Sequence, residues 1–346
     1  MLQDTVLDEN PIPTLGITLG DMNGIGPEVI IKSVLDQRIF NQVHLVVYGH
    51  GKVLSFYKTL LDIEGFSFDQ TESADHIRRN KLNVINAWQS EFLVKPGEVS
   101  QEAGGYAFAS IQRATQDLKA GLIDGIITAP INKHNIQSND FRYAGHTEYF
   151  AEHFGGGESL MFLTSDHLRM GVATGHIPIS QVSKAITAEL LETKINFMLK
   201  SLKVDFGILK PKIAVLGLNP HAGDTGLIGK EEQEIINPVI EQFEKNNHLI
   251  FGTYPADGFF GIAQHTQFDG VLAMYHDQGL IPFKSIAFET GVNFTAGLKI
   301  VRTSPDHGTA YDIAGKNLAN ETSMRNSIYL AKDIVKNRRE FELVKN

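Results

Sequence analysis

The sequence predicts an α/β fold with a mostly parallel sheet, on three observations. Short apolar runs of strand length alternate with amphipathic stretches of helical length. Several of these runs, such as 270–274, are continuously apolar rather than alternating, the pattern of strands buried on both faces. They also end in polar loops marked by glycine or proline, where ligands bind in open α/β sheets.

Taken in order, residues 15–19 form a strand that runs into a turn made by Asp21, Asn23, Gly24 and Gly26. Pro27 suits the first helical position and Glu28 complements the helix N-terminus. Val29, Ile30, Val34 and Leu35 then recur at helical spacing. Strand, glycine turn and helix N-terminus together make a cradle for an anion or nucleotide, although the third glycine of the dinucleotide fingerprint and the lysine of a P-loop are absent. Residues 44–48 are a strand and 53–61 a helix; 62–99 are a less regular extension with a short apolar run at 82–85. A helix at 100–120 and a strand at 123–128 follow. Thr147 is placed to cap a helix running through Phe154, and 155–157 reads as a hinge or loop. Helices at 188–202 and 230–247, the second interrupted by Pro238, flank a strand at 212–218. Residues 252–260 read as a loop carrying Asp257, and Gly279 as a turn after the 270–274 strand. The glycine-rich stretch 304–320 leaves little room for a regular element, and a helix over 324–335 closes the fold.

Composition narrows the function. A chain of 346 residues, 42% hydrophobic, holds two ordinary domains or one large one. A net charge of −9 argues against nucleic acid as a partner, since no basic excess exists to meet phosphates, but leaves room for a small phosphorylated ligand. The absence of cysteine removes thiolate metal sites, disulfides and cysteine nucleophiles. The acidic residues 1–16 lack the apolar stretch of a secretory signal, and no apolar run approaches a membrane span, so a cytoplasmic protein is expected.

The residues that carry chemistry cluster at strand ends. The strands leading to His176, His221 and His276 each deliver a histidine into a glycine- or proline-marked loop. Each alone has an ordinary structural reading. As a set at equivalent positions they read as a three-histidine metal site with open coordination positions. Imidazole ligands suit zinc, cobalt and nickel, and an open site also takes magnesium or manganese weakly. Lys284 and Asp277 are candidates for the base that removes a hydroxyl proton, with Asp257 next. Lys284 serves equally as a phosphate contact, and Arg302 offers a planar fork for phosphate or carboxylate.

Two segments at opposite ends of the chain carry a resemblance. GDMNGIGPEV resembles the first-strand loop, and HGTAYDIAGK (307–316) the adenosine-binding loop, of the isocitrate/isopropylmalate dehydrogenase-like superfamily of decarboxylating 3-hydroxyacid dehydrogenases. Within that frame HTE, GHIP, NPHAG, MYHDQG and GVNFTAGLKIVRTSPDHGTA resemble the 4-hydroxythreonine-4-phosphate dehydrogenases of vitamin B6 biosynthesis, from about residue 15 to 320. The resemblance implies two α/β/α domains separated by a cleft: a dinucleotide-binding domain from 1–140 plus 288–346, and a metal-binding, substrate-binding and dimerisation domain from 141–287. It implies one divalent ion (zinc, magnesium or cobalt) on His176, His221 and His276. Substrate contacts carry over to His146, Thr147, Lys284, Asn293 and Arg302. NAD or NADP would lie on Gly24, Gly26, His307, Gly308, Thr309 and Asp312, with Asp312 against the adenosine ribose and NAD favoured. A homodimer with shared active sites is expected. The expected reaction oxidises 4-phosphohydroxy-L-threonine to a 3-keto acid that decarboxylates to 3-amino-2-oxopropyl phosphate. Relatives acting on threonate or erythronate 4-phosphate share the same motifs. A metal-dependent hydrolase is the reading from another class, disfavoured because a hydrolase has no use for an adenosine loop.

Overall fold

A computed structural model describes residues 11–155 and 157–345. Residues 1–10 and Gly156, which include most of the acidic leader and the middle of the expected 155–157 hinge, lie outside the described residues.

The chain begins with β1 (Thr14–Thr18), and Pro27 sits in the first turn of α1 (Gly26–Ser33), where its missing amide costs nothing. β2 (His44–Gly49) leads to α2 (Gly51–Leu60), whose N-terminus is capped by His50 Nδ1 accepting from the Lys52 amide at 3.2 Å. β3 (Phe68–Gln70) and β4 (Leu82–Asn86) supply the regular part of the irregular extension. Ser100 caps α3 (Gln101–Lys119), and β5 (Gly125–Thr128) follows. α4 (His146–Phe154) begins one residue before Thr147, so that hydroxyl lies inside the helix rather than capping it. β6 (Leu160–Thr164) and β7 (Arg169–Thr174) lead to α5 (Ile179–Ala185) and α6 (Ala188–Val204), the latter capped by Thr187. β8 (Lys212–Leu216) is followed by a helical run from 231 to 245 that is interrupted, as expected near Pro238, by a π-helical turn at Glu232–Ile236 passing into α7 (Asn237–Lys245).

The expected 252–260 loop is instead the end of β9 (Leu249–Tyr254) and all of α8 (Ala256–Gly261), which places Asp257 exposed in a helical first turn. Pro255 acts as a helix cap here rather than as a loop former. β10 (Gly270–Tyr275) runs directly into α9 (His276–Ala287), so Gly279 does not turn the chain. A Cβ at Gly279 would lie 3.0–3.1 Å from Val172, Ala273 and Met170, so the residue is there to let α9 lie close on β7 and β10. β11 (Val292–Ala296) and β12 (Val301–Pro305) precede the long turn-rich stretch, and α10 (Thr322–Lys345) extends beyond the expected helix into the charged tail.

The chain forms two compact units, one of residues 1–148 and 300–346 and one of residues 149–299. The expected crossings at 140/141 and 287/288 fall earlier in sequence than these. The return crossing comes later because β11 pairs with β6 and so belongs to the second unit. In the first unit the strand order is β3-β4-β2-β1-β5-β12, every pairing parallel. In the second it is β11-β6-β7-β10-β8-β9; β6 runs antiparallel to both neighbours, and β7, β10, β8 and β9 run parallel. Beneath α8 and α9 the second unit buries Met170, Val172, Leu216, Phe259, Val271 and Phe283. Among the described residues no helix is long and apolar enough to cross a membrane.

Candidate active site

In the first unit the loops leaving β1, β5 and β12 are laced together at the carboxyl ends of their strands. Asp21 is fully buried and accepts hydrogen bonds from the Asn23 amide (2.9 Å), Asn135 Nδ2 (2.8 Å) and the Tyr311 hydroxyl (2.7 Å). Burial and the bond to Asp21 raise the Tyr311 phenol well above its usual range, so it stays a donor. The Ile25 amide donates to Thr309 O at 2.9 Å, and a Cβ on Gly24 would lie 2.8 Å from that same oxygen. On Gly26 it would lie 2.6 Å from Leu19 O. Both glycines are thus required by the chain's own packing, which brings the two resembling segments face to face. Sequence reasoning missed Asp21, Asn135 and Tyr311 as the pins of this cradle; only spacing across 290 positions joins the first to the last.

The fit of a nucleotide to this cradle can be tested on His307. Its Nδ1 donates to Gly308 O at 3.2 Å, which leaves Nε2 as the lone-pair nitrogen. That atom is buried and has no hydrogen-bond partner among the described residues. A ligand hydroxyl or amide donor would satisfy it, so the residues fit a nucleotide. Asp312 is exposed on the same loop.

Beside the cradle, Arg302 on β12 is buried, with Nη2 and Nε donating to Thr128 Oγ1 at 2.7 and 3.1 Å, and Nη1 to Thr147 Oγ1 at 3.5 Å. Burial lowers its pKa to about 10 despite the nearby Glu148 carboxylate. Desolvation, with Arg302 and Lys133 close by, holds the His146 imidazole well below its ordinary range, so it is neutral. His146, Thr147 and Arg302 therefore do come together, with Thr128 as a partner the sequence did not reveal.

In the second unit the three histidines leave the carboxyl ends of β7, β10 and β8, three neighbouring parallel strands. The His176 and His276 ring centroids lie 5.3 Å apart. His276 Nδ1 is 2.7 Å from Asp277 Oδ1; the carboxylate fixes the ring so that Nε2 points its lone pair away. Asp277 is thereby engaged as an orienting partner of His276. Among the described residues no three His, Asp or Glu side chains close into a cage by themselves. The imidazole donors and the close pair fit a divalent ion.

The strand ends themselves are fixed by side chains. Thr174 Oγ1 donates to Met274 O at 2.8 Å. Gln278 accepts from the Met274 amide at 2.7 Å and donates to Gly217 O at 2.6 Å, tying the exit of β10 to that of β8. Lys284 is eight residues beyond His276 on α9, about 12 Å along the axis. Asn293 is on β11, opposite Leu163 of β6.

A parallel sheet with a glycine turn pinned to a second polar loop at its carboxyl edge is the framework of nucleotide-dependent α/β dehydrogenases. The comparisons with known proteins fall in that class. Residues 41–331 match the family described as "Pyridoxal phosphate biosynthetic protein PdxA". A 4-hydroxythreonine-4-phosphate dehydrogenase from Bacteroides thetaiotaomicron is 48% identical over 333 residues, 96% of this chain and 91% of that one. A protein of Oceanobacillus iheyensis provisionally named D-threonate 4-phosphate dehydrogenase is 40% identical, covering 92% of this chain and 97% of its own. Among solved structures, the 4-hydroxythreonine-4-phosphate dehydrogenase of Klebsiella pneumoniae is 36% identical with a TM-score of 0.82, covering 94% of this chain and 99% of that one. The chain belongs to the PdxA family and is an oxidoreductase.

Proposed function

We propose that this protein oxidises 4-phosphohydroxy-L-threonine at its secondary hydroxyl, with NAD or NADP as acceptor. The 3-keto acid then loses CO₂ to give 3-amino-2-oxopropyl phosphate on the route to pyridoxal 5'-phosphate. The observation that carries this reading is the set of strand-end histidines, with His176 and His276 5.3 Å apart, in a chain nearly half identical to a relative of that name.

His176, His221 and His276 would hold a divalent ion, which when bound would supply Lewis-acid polarisation of the substrate oxygen. Gly24, Gly26, His307, Gly308, Thr309 and Asp312 would hold the dinucleotide, whose nicotinamide would supply the hydride acceptor. Arg302 holds a substrate anion: its guanidinium is buried against hydroxyls, and an incoming phosphate or carboxylate offsets that desolvation. Neutral His146 offers one donor and one acceptor for the same bound group without adding repulsion to Arg302. Thr147 presents its hydroxyl beside the guanidinium, and Asn293 is a further substrate contact. Lys284 takes the hydroxyl proton, since Asp277 is engaged with His276 and Asp257 is exposed on α8. The protein works as a cytoplasmic homodimer whose sites draw metal ligands from both subunits.

The test is a panel in which NAD reduction is followed with 4-phosphohydroxy-L-threonine, D-threonate 4-phosphate and D-erythronate 4-phosphate. We expect the first to give the highest kcat/KM, by about tenfold or more, a differential contact of about 1.4 kcal/mol. Preference for a phosphorylated sugar acid would transfer the protein to that substrate class. Failure to reduce NAD or NADP with any of them, alongside metal-dependent hydrolysis, would remove the dehydrogenase reading.

A further inference from the structure

The turn that carries His221 is unusual in its backbone. His221, Ala222, Gly223, Asp224 and Thr225 all have positive φ, at 55°, 50°, 82°, 43° and 55°. Only Gly223 adopts that region freely; each of the others costs on the order of 1 kcal/mol, and such a run persists only where its surroundings dictate it.

Glu232 supplies those surroundings. It is 1% exposed, and its carboxylate accepts from the Asn219 amide at 2.7 Å and from Asn219 Nδ2 at 2.9 Å. Space for it is made by glycines: a Cβ on Gly223 would lie 2.6 Å from Glu232 Oε2, and one on Gly217 3.2 Å from Oε1. A Cβ on Gly229 would lie 2.3 Å from Asn219 Nδ2. Glu232 also opens the π-helical turn at Glu232–Ile236, a wider turn that re-aims side chains at its start. Its neighbour Glu231 accepts from Asn219 Nδ2 at 2.8 Å and from Ser183 Oγ at 2.6 Å. Ser183 lies on α5, the helix that follows His176. The adjacent carboxylates therefore clasp the segments of two histidines at once.

We propose that Glu232, acting with Asn219, is the positioning residue for His221, fixing its left-handed turn before the metal arrives. This rests on the reading of His221 as a metal ligand. Outer partners of metal ligands are worth about 10–100-fold in metal affinity, and Glu232 acts in that way through the backbone rather than through the ring.

The experiment uses the full chain freed of metal and titrated with Co(II) against a chromophoric chelator. The visible Co(II) band is recorded, and the unfolding temperature of the metal-free protein is measured in parallel. Glu232→Gln places an amide against the Asn219 amide. Asn219→Ala removes the side-chain bonds of the clasp to both carboxylates at a half-exposed position, leaving the backbone amide bond to Glu232, and carries the test should the buried substitution fail to fold. We expect both variants to weaken Co(II) binding by about 10–100-fold and to alter the band, with turnover recovering at saturating Co(II). A merely structural Glu232 would lower the unfolding temperature and leave the dissociation constant of the folded protein where it was; that outcome overturns the proposal. His221→Ala separates the two ideas. If it loses Co(II) while Asn219→Ala and Glu232→Gln bind like the wild type, the clasp fails and the metal reading stands. If His221→Ala itself binds like the wild type, the metal reading fails and the clasp with it.

Discussion

Arg302 and His146 show how burial sets the charge state of single residues in this protein. Neither state was legible in the sequence, which identified both positions by motif but gave no account of their surroundings. Among the described residues, His146 shares with His44, His50, His265 and His307 a pKa lowered mainly by burial. In each case the unfolded chain binds protons at a pH where the folded chain does not. Folding stability is therefore intact above the ordinary imidazole value of about 6.5 and falls as the pH drops below it, until the lowered folded-state values are passed. Urea midpoints measured from pH 8 down to pH 5.5 should fall below about pH 6.5; a midpoint that rises on acidification would contradict this account. Asp312 is the complementary case, singled out by its motif and exposed on its loop. A carboxylate facing the adenosine ribose would accept from both hydroxyls and repel a 2′-phosphate. We expect the wild type to favour NAD, and Asp312→Ala to narrow the preference chiefly through KM for the dinucleotide. Lys316, four residues on and also exposed, tempers the repulsion. A wild-type enzyme with the higher kcat/KM for NADP would show that Asp312 does not face the ribose.

At the scale of elements, long periodic segments were legible and short ones were not. α3, α6 and the buried strands β1, β2, β8 and β10 follow from periodicity because each buries a whole face or both. β3 has three residues and no fully buried position, so it left no pattern to read. β9 and α8 were hidden by Gly252, Pro255 and Gly258, residues usually read as loop formers but here placed in a strand, at a helix cap and inside a helix. Gly279 is the sharpest instance: the sequence suggests a bend, and the structure shows a contact surface. Its substitution should therefore behave as overpacking rather than as loss of flexibility. We expect Gly279→Val to destabilise by about 1–3 kcal/mol, because the added methyls would enter space held by Met170, Val172 and Ala273. Equilibrium urea unfolding checks this, and unchanged stability would mean that α9 shifts freely on the sheet.

At the scale of the whole molecule, the approach of His176 and His276 within one chain decides how sharing between subunits is tested. If those two rings, 5.3 Å apart, serve one site, mixing His176→Ala with His276→Ala protein restores nothing. If His221 reaches the partner's site, a heterodimer of His221→Ala and His276→Ala holds one intact site and should show about half the wild-type activity. No recovery in verified heterodimers would return each site to a single chain. The division of the sequence was legible in outline from the two terminal motifs, whereas the crossing points depend on the pairing of β11, which no local pattern announces. That division also fixes an order of events during synthesis. Residues 149–299 are contiguous and emerge complete while the first unit still lacks β12, whose partner β5 was made about 175 residues earlier. Arg339 of α10 donates to Asp124 just before β5, and Asp124 in turn accepts from the first amide of β1. On the ribosome, then, the inserted unit can fold first. The outer unit waits with its β5 edge open until β12 arrives and α10 follows it, and that interval is when the nascent chain depends most on protection from other chains.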